Sequence, residues 1–347
     1  MRIRKARIAH NYRTLDKNTK WAASARLGVL FSIPLLVTCA LIFTSGCSSS
    51  SKTKITVPQN VYVTQADSVL IFPTTATGNV APTTTISGAS TTISDPHHSA
   101  FDASGNLYLT SSQSDGVLIF EPAASGNVAP TTTITGTNTG FAFPNGIALD
   151  SHGNIYVTNY DSDSVSIFAA GATGNATPTA TITGAATGLG FPHGIALDAS
   201  GNIYVANYEN NSVTVYAAGA TGNATPTATI TGAATGLNNP HGLALDSAGN
   251  IYVCSESNGG AISDSVVVFA AGATGNATPT ATISGAATGI SHPNGISLDS
   301  KGNIYVGNAG NSSVTIYAAG ATGNATPTAT ISGANTAFGT IHGLTVH

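Results

Sequence analysis

Short apolar runs of β-type residues recur along the chain, with turn residues between them. One period begins with Pro-His-Gly-Ile-Ala-Leu-Asp at Pro192 and continues through Asn-Ile-Tyr-Val-Ala-Asn, Ser-Val-Thr-Val-Tyr and Pro-Thr-Ala-Thr-Ile-Thr-Gly. These runs are rich in residues that favour strands, and no window has helical spacing of apolar residues over three turns. Each period therefore predicts four strands. Pro226 opens the last run, so we expect that run to be the outer strand, because proline is confined to edge strands or strand starts.

The four-strand unit occurs six times. The tyrosine of the second run is spaced by 46, 48, 48, 48 and 53 residues and stands at Tyr62, Tyr108, Tyr156, Tyr204, Tyr252 and Tyr305. Units of this length cannot bury a core alone and stack on their neighbours. The first unit lacks an innermost strand, and residues 341–347 read as an innermost strand with nothing after it. We therefore predict an all-β fold, a six-bladed β-propeller of four-stranded blades, with the C-terminal strand closing the first blade.

The N-terminal segment has a different composition. Eight of the eleven Lys and Arg residues precede an apolar run that extends from Leu27 to Phe43. This pattern is typical of a secretory leader. The small residues before Cys47 resemble the lipobox of bacterial lipoproteins, which implies acylation of that cysteine; an uncleaved signal anchor is the alternative. The expected domains are a lipoprotein-type signal peptide or anchor at 1–46, a polar tether at 47–58 and the propeller at 59–347.

Both interpretations of the leader place the propeller outside the cytoplasm. We expect a monomer that is lipid-anchored in the bacterial cell envelope, on the outer membrane or cell surface, with the membrane as one partner. From Ser48 onwards the chain has three Lys, no Arg and fourteen Asp and Glu, so its net charge is 3 − 14 = −11. Nucleic acid is therefore excluded as a partner, because phosphate binding needs basic residues.

The repeated phrase Pro-x-Gly-Ile-Ala-Leu-Asp-x-x-Gly-Asn-Ile-Tyr-Val-x-Asn resembles the NHL repeat, over essentially Asn60 to His347. Related six-bladed families include virginiamycin B lyase-like propellers, the peptidyl-hydroxyglycine amidating lyase and many interaction modules. The fold alone does not choose between these functions.

Propeller topology indicates where a site would lie. The loops that enter the innermost strands open near the central channel, so the residues before each inner glycine, or its equivalent, are expected to form a ring. We take this ring as the candidate ligand-binding site: His342, His97, Asn145, His193, His241 and Asn294. In the amidating lyase family, Pro-His motifs here hold a catalytic zinc. The resemblance thus implies these candidate ligands for a divalent metal, Zn or Mg: His97, His193, His241 and His342.

Departures from the lyase pattern favour a function without catalysis. The family's zinc histidines lie on alternate blades, whereas alternate blades here give two histidines and one asparagine, and the mature domain has no arginine. The nearby acids are expected to form a solvated rim: Asp161, Asp163, Glu209 and Glu256. We therefore expect a non-enzymatic binding module for a protein or carbohydrate ligand, with no catalytic residue and no certain cofactor. The alternative is a metal-dependent lyase or lactonase with its site at the channel mouth.

Overall fold

A computed structural model describes residues 59–257 and 263–347. The leader, the tether and the lipidation site expected at Cys47 lie outside the described residues. None of the helices in the described part is long and apolar enough to cross a membrane. The only helices there are single 3₁₀ turns: Ala89–Thr91, Ser112–Ser114, Tyr160–Ser162, Ala233–Thr235 and Ala334–Thr336.

The strands form six antiparallel sheets of four, the blades, which confirms the predicted fold class. Blade 1 combines the last strand with the first three: β24 (Ile341–Val346), β1 (Asn60–Gln65), β2 (Ser68–Pro73) and β3 (Thr84–Ser87). Blade 2 contains β4 (Pro96–Phe101), β5 (Leu107–Ser111), β6 (Gly116–Phe120) and β7 (Thr132–Thr135). Blade 3 contains β8 (Pro144–Leu149), β9 (Ile155–Asn159), β10 (Ser164–Phe168) and β11 (Ala180–Thr183).

The remaining blades repeat this arrangement. Blade 4 contains β12 (Pro192–Leu197), β13 (Ile203–Asn207), β14 (Ser212–Tyr216) and β15 (Ala228–Thr231). Blade 5 contains β16 (Pro240–Leu245), β17 (Ile251–Ser255), β18 (Ser265–Phe269) and β19 (Ala281–Ser284). Blade 6 contains β20 (Pro293–Leu298), β21 (Ile304–Asn308), β22 (Ser313–Tyr317) and β23 (Ala329–Ser332).

The C-terminal strand closes the first blade as predicted. Leu344 of β24 is paired with Val63 of β1. Asn60 and His347 exchange two backbone hydrogen bonds, of 2.7 and 3.0 Å. The loop between the third and fourth strands of each blade also pairs with the outer strand of the preceding blade, and Gly78 makes this bridge to Ile331 across the junction of blades 6 and 1. The ring is therefore held at that junction by the same contact as elsewhere.

The core lies between blades. Each of six buried apolar clusters combines strands of two neighbouring blades, and the cluster between blades 6 and 1 contains Phe72, Tyr305 and Ile331. Removing this apolar surface from water is the main favourable contribution to the free energy of folding. Because a blade can bury its apolar faces only against neighbouring blades, we expect the ring to fold as one cooperative unit.

Candidate functional site

Each inner strand has an irregularity at the residue predicted to form the ring. In blade 4, Pro192 pairs with Asn207 and Ile195 pairs with Val205, so His193 and the glycine after it oppose a single residue. The same register shift occurs in the other five inner strands. A bulge of this kind re-aims a side chain and is common beside functional sites. We call the six residues at these bulges the mouth ring: His342, His97, Asn145, His193, His241 and Asn294.

The inner strands approach each other closely around the channel. A Cβ atom at Gly194 would lie 2.6 Å from the carbonyl oxygen of His241 in the next blade. Five inner strands have glycine at this position, whereas blade 2 has His98. Both ring nitrogens of His98 are buried and have no hydrogen-bond partner among the described residues. Burial, with smaller contributions from charge on His97 and His241, lowers the pKa of His98 to about 3.

Two mouth-ring histidines form a cluster with an acid that precedes the ring. Nδ1 of His342 lies 3.1 Å from Oδ1 of Asp95, and Nε2 of His97 lies 3.7 Å from Oδ2 of the same carboxylate. The two imidazoles stack with ring centroids 4.8 Å apart. Burial alone would raise the pKa of Asp95, but the neighbouring imidazoles of His342 and His97 outweigh it, so the pKa falls well below its ordinary value. Asp95 is therefore ionised at neutral pH.

These three residues fit a divalent metal. One ligand atom from each of Asp95, His97 and His342 lies within 4.8 Å of the others, and ligands on a tetrahedral zinc with bonds of about 2.0–2.1 Å lie about 3.4 Å apart. The amide of Asn145 is 3.0 Å from Nδ1 of His97, and its Oδ1 is buried without a hydrogen-bond partner. Rotating this amide by a half turn would let Oδ1 accept from Nδ1–H, which is the outer contact that metal-bound histidines usually have.

A second acid–histidine pair lies in blade 5. Nε2 of His241 is 2.7 Å from Oε2 of Glu256, and both side chains are largely buried, at 12% and 14% exposure. Oε1 of Glu256 lies 3.8 Å from Nε2 of His292, whose Nδ1 lies 3.9 Å from Asp264. Nδ1 of His241 has no hydrogen-bond partner among the described residues. A carboxylate thus orients an imidazole whose other nitrogen is buried and has no partner among the described residues.

Aromatic side chains line the mouth over blades 3 and 4. We call Phe143, Tyr160, Phe191 and Tyr208 the aromatic arc; each is partly exposed. Tyr160 stacks on Phe191 with centroids 4.6 Å apart and contacts Phe143 at 5.8 Å. His193 of the mouth ring lies between Tyr160 at 5.0 Å and Tyr208 at 5.3 Å. Burial, with charge on nearby histidines, holds the pKa of His193 well below its ordinary value, so its imidazole is neutral.

The two phenylalanines of the arc have unusual backbones. Phe143 and Phe191 have φ of 56° and 49°, a region that bulky residues rarely adopt. Their N–H groups donate at 2.8 Å to the carboxylates of Asp115 and Asp163, which follow the second strand of the preceding blade. The residues at the same position in blades 2, 5 and 6 also have positive φ, so this backbone conformation belongs to the repeat and not to the arc alone.

The structure brings together the mouth ring and adds residues that the sequence did not single out. Asp95 and the aromatic arc were not predicted. Glu256 was predicted to be part of a solvated rim, whereas it lies largely buried against His241. The metal-compatible cluster contains His97 and His342, while the other two predicted metal histidines contact Glu256 and aromatic rings instead. Cys254 is buried in β17 and burial raises its pKa, as suits an inert strand residue.

Comparisons with known proteins place the chain in a family of propellers. The model of the SMP-30/Gluconolactonase/LRE-like region matches residues 43–224, so the chain belongs to this family. A beta-propeller repeat matches residues 228–260, and the NHL repeat matches residues 291–317, which confirms the resemblance drawn from the sequence. The comparison with curated proteins finds no relative by sequence.

Solved structures of low sequence identity have the same fold. The nidogen/laminin complex matches with a TM-score of 0.57 at 17% identity, over 83% of this chain and 98% of that one. A protein of unknown function from Bacteroides caccae matches with a TM-score of 0.57 at 10% identity, over 84% and 99%. A putative 6-phosphogluconolactonase from Bacteroides uniformis matches with a TM-score of 0.55 at 16% identity, over 84% and 85%. At these identities the likeness extends to the fold alone.

Proposed function

We propose that the protein is a binding propeller that holds its ligand at the channel mouth. The main support for this proposal is that blades 3 to 6 differ in sequence at the mouth and share an identical stretch outside it. Fourteen consecutive residues are identical in blades 3 to 6, beginning at Ala169, Ala217, Ala270 and Ala318. The residues that follow the second strand at the mouth of the same blades are of three different types: Tyr160, Tyr208, Glu256 and Ala309. Scaffold positions have thus stayed constant while mouth positions have diverged, which supports a site built by that divergence.

Buried polar atoms at the mouth support the same proposal. Nδ1 of His193 and Nδ1 of His241 are buried without hydrogen-bond partners among the described residues. Buried polar groups in native proteins are nearly always paired, and an exception calls for an explanation such as a bound ligand. The mouth also combines partly exposed aromatic rings with a few convergent polar groups, which is the usual composition of a ligand site.

A panel of compounds in a thermal shift assay tests the proposal. The full chain and the double variant Tyr160→Ala/Tyr208→Ala are mixed with neutral sugars, organic acids, organic amines and divalent metals. The variant has alanine at both positions, as blade 6 does at Ala309. A ligand at a hundred times its Kd stabilises the folded state by about 2.7 kcal/mol. We expect at least one class to raise the Tm of the wild type and not of the variant.

The control carries its changes on the opposite face. The variant Glu121→Ala/Lys301→Ala alters residues outside the mouth and should respond like the wild type. If every compound that shifts the Tm acts equally on all three proteins, the mouth is not the binding site and the proposal fails.

A metal-dependent hydrolase or lyase is the second candidate, and the acid–histidine pairs favour it. The expectation of a solvated acidic rim, which argued against catalysis from the sequence, does not hold for Glu256, because its Oε2 lies 2.7 Å from Nε2 of His241. Asp95, His97 and His342 would hold the metal, which would supply Lewis-acid polarisation of a carbonyl oxygen and acidify a bound water. Glu256 would orient His241 so that its Nδ1 accepts a proton as general base.

Turnover of lactones decides between the two candidates. The family name includes gluconolactonase, so the chain is stripped with EDTA, reloaded with zinc and assayed on aldonolactones. Turnover that is abolished in both Asp95→Asn and His241→Gln would replace the binding proposal with the enzymatic one. If no metal-dependent turnover occurs, the binding proposal stands.

We also propose that the propeller is lipid-anchored at Cys47 outside the cytoplasm. The leader-like N-terminus and the small residues before that cysteine support this localisation.

A further inference from the structure

The aromatic arc forms one wall of the mouth. Tyr160 lies at its centre and contacts Phe143, Phe191 and His193 at centroid distances of 4.6 to 5.8 Å. Tyr208 continues the wall through His193 and His241. Exposed aromatic faces attract cations, because the ring quadrupole is negative on its face.

The electrostatic surroundings of the arc are acidic. Burial raises the pKa of Tyr160 to about 12, with smaller contributions from Tyr208, Asp161, Glu209 and Asp163. Among residues 59–257 and 263–347 the only Lys or Arg is Lys301, which lies in the turn between β20 and β21 on the face opposite the mouth. A cleft lined by charges of one sign concentrates ligands of the opposite sign.

His193 supplies a polar contact within this wall. Its side chain is buried, at 7% exposure, and its Nδ1 has no hydrogen-bond partner among the described residues. The rings of Tyr160 and Tyr208 lie on either side of it. A neutral imidazole with an unprotonated Nδ1 accepts a hydrogen bond from an N–H donor. A ligand with a positive charge and an N–H group would be attracted by the aromatic faces and the acidic residues and would donate a hydrogen bond to Nδ1 of His193.

We propose that the aromatic arc binds a small organic ammonium ion that carries at least one N–H, with its alkyl groups against Tyr160 and Tyr208 and its N–H directed to His193. This proposal rests on the proposed function, in which the mouth holds the ligand, and it names the ligand's chemical class. A neutral sugar would stack on the same rings but gain little from the acidic field.

Calorimetry with matched probes tests the ligand class. The full chain, in a nonionic detergent at about pH 7.5, is titrated with N,N-dimethylethanolamine, which is protonated there as alkylamines are. Isoamyl alcohol has the same shape, with a neutral CH in place of the charged N–H. We expect the amine to bind at least about tenfold more tightly than the alcohol. Choline, which has no N–H, should bind more weakly than the tertiary amine.

Several results would overturn the proposal. Equal affinity for the amine and the alcohol removes the role of charge, and tighter binding of choline removes the role of His193. If N-acetyl-lysine amide binds more than about tenfold better than the amine, the occupant is a peptide side chain and not a small amine.

Variants locate the site and separate the two proposals. Tyr160→Leu and Tyr208→Leu keep apolar bulk and should each weaken amine binding about tenfold while leaving the alcohol unchanged. Asp161→Asn should weaken amine binding, whereas Glu121→Gln makes the same charge change on the opposite face and should not. Circular dichroism checks the fold of each variant. If both leucine variants bind the amine normally, the proposal fails. If another compound class protects the wild type but not the Tyr160/Tyr208 double variant, only the ligand class is wrong.

Discussion

His98 makes the stability of the propeller depend on pH, and replacing it by glycine tests this directly. Five inner strands have glycine at this position, so His98→Gly restores the residue of the repeat. The imidazole of His98 has both nitrogens buried without hydrogen-bond partners among the described residues, and its pKa in the folded state is about 3. In the unfolded chain the same group titrates at about 6.5.

The sign of the effect follows from proton binding. Between about pH 3 and pH 6.5 the unfolded state binds a proton at His98 that the folded state does not, so the free energy of unfolding falls as the pH falls. The slope approaches about 1.36 kcal/mol for each pH unit. From about pH 7.5 to about pH 5 the contribution of His98 changes by about 2 kcal/mol.

Urea denaturation at these two pH values, with EDTA present and circular dichroism as the probe, measures the effect. The wild type should lose about 2 kcal/mol more than His98→Gly between them. The control is His152→Ser, because His152 is 83% exposed and its variant should follow the wild type. If the free energy of unfolding falls by the same amount in the wild type and in His98→Gly, then His98 is not a buried neutral imidazole, and the pKa assigned to it is wrong.

Three further predictions concern the turns, the inner strands and the anchor. In the turn opposite the mouth, Asp198 accepts hydrogen bonds from the backbone N–H groups of Ser200 and Asn202 at 2.9 Å and from the Asn202 amide at 2.8 Å. Asp198→Ala should lower the free energy of unfolding, measured by urea denaturation, by about 1–3 kcal/mol and leave ligand binding unchanged. A variant as stable as the wild type would contradict this. Gly194→Ala should destabilise the fold by about 1–3 kcal/mol because its Cβ would lie 2.6 Å from the carbonyl oxygen of His241, whereas Gly339→Ala has space and should be close to neutral in the same assay. If Cys47 is acylated, a palmitate analogue should label the wild type in cells and not Cys47→Ala, and equal labelling of both would remove the lipid anchor.

The sequence predicted the fold because the fold repeats. Six copies of the same strand pattern defined the blade, and the complementary ends at Asn60 and His347 predicted the closure that the structure contains. The mouth ring could be located as well, since one residue per repeat precedes the inner glycine. A single position per blade was thus enough to predict where a site would lie.

The chemistry of the mouth could not be predicted in the same way because it depends on the second strand and on the bulge. Glu256 stands among Ser and Asn residues that suggest a solvated loop, yet the bulge at His241 turns the imidazole onto its carboxylate. Asp95 and Phe143 share a position directly before proline, and comparing this position between blades would have shown one acidic residue followed by two aromatic residues, Phe143 and Phe191. The contact between Tyr160 and Phe191 joins neighbouring blades and has no signature within one repeat.

A crystallographic screen with small fragments tests the central claim most directly. Crystals of the full chain are soaked with sugars, amines, acids and aromatic fragments, and every bound molecule is placed on the structure. We predict that the bound fragments concentrate at the mouth, against Tyr160 and Tyr208 or beside Asp95. Fragments that bind only at the outer strands or the opposite face, and never at the mouth, would contradict the account.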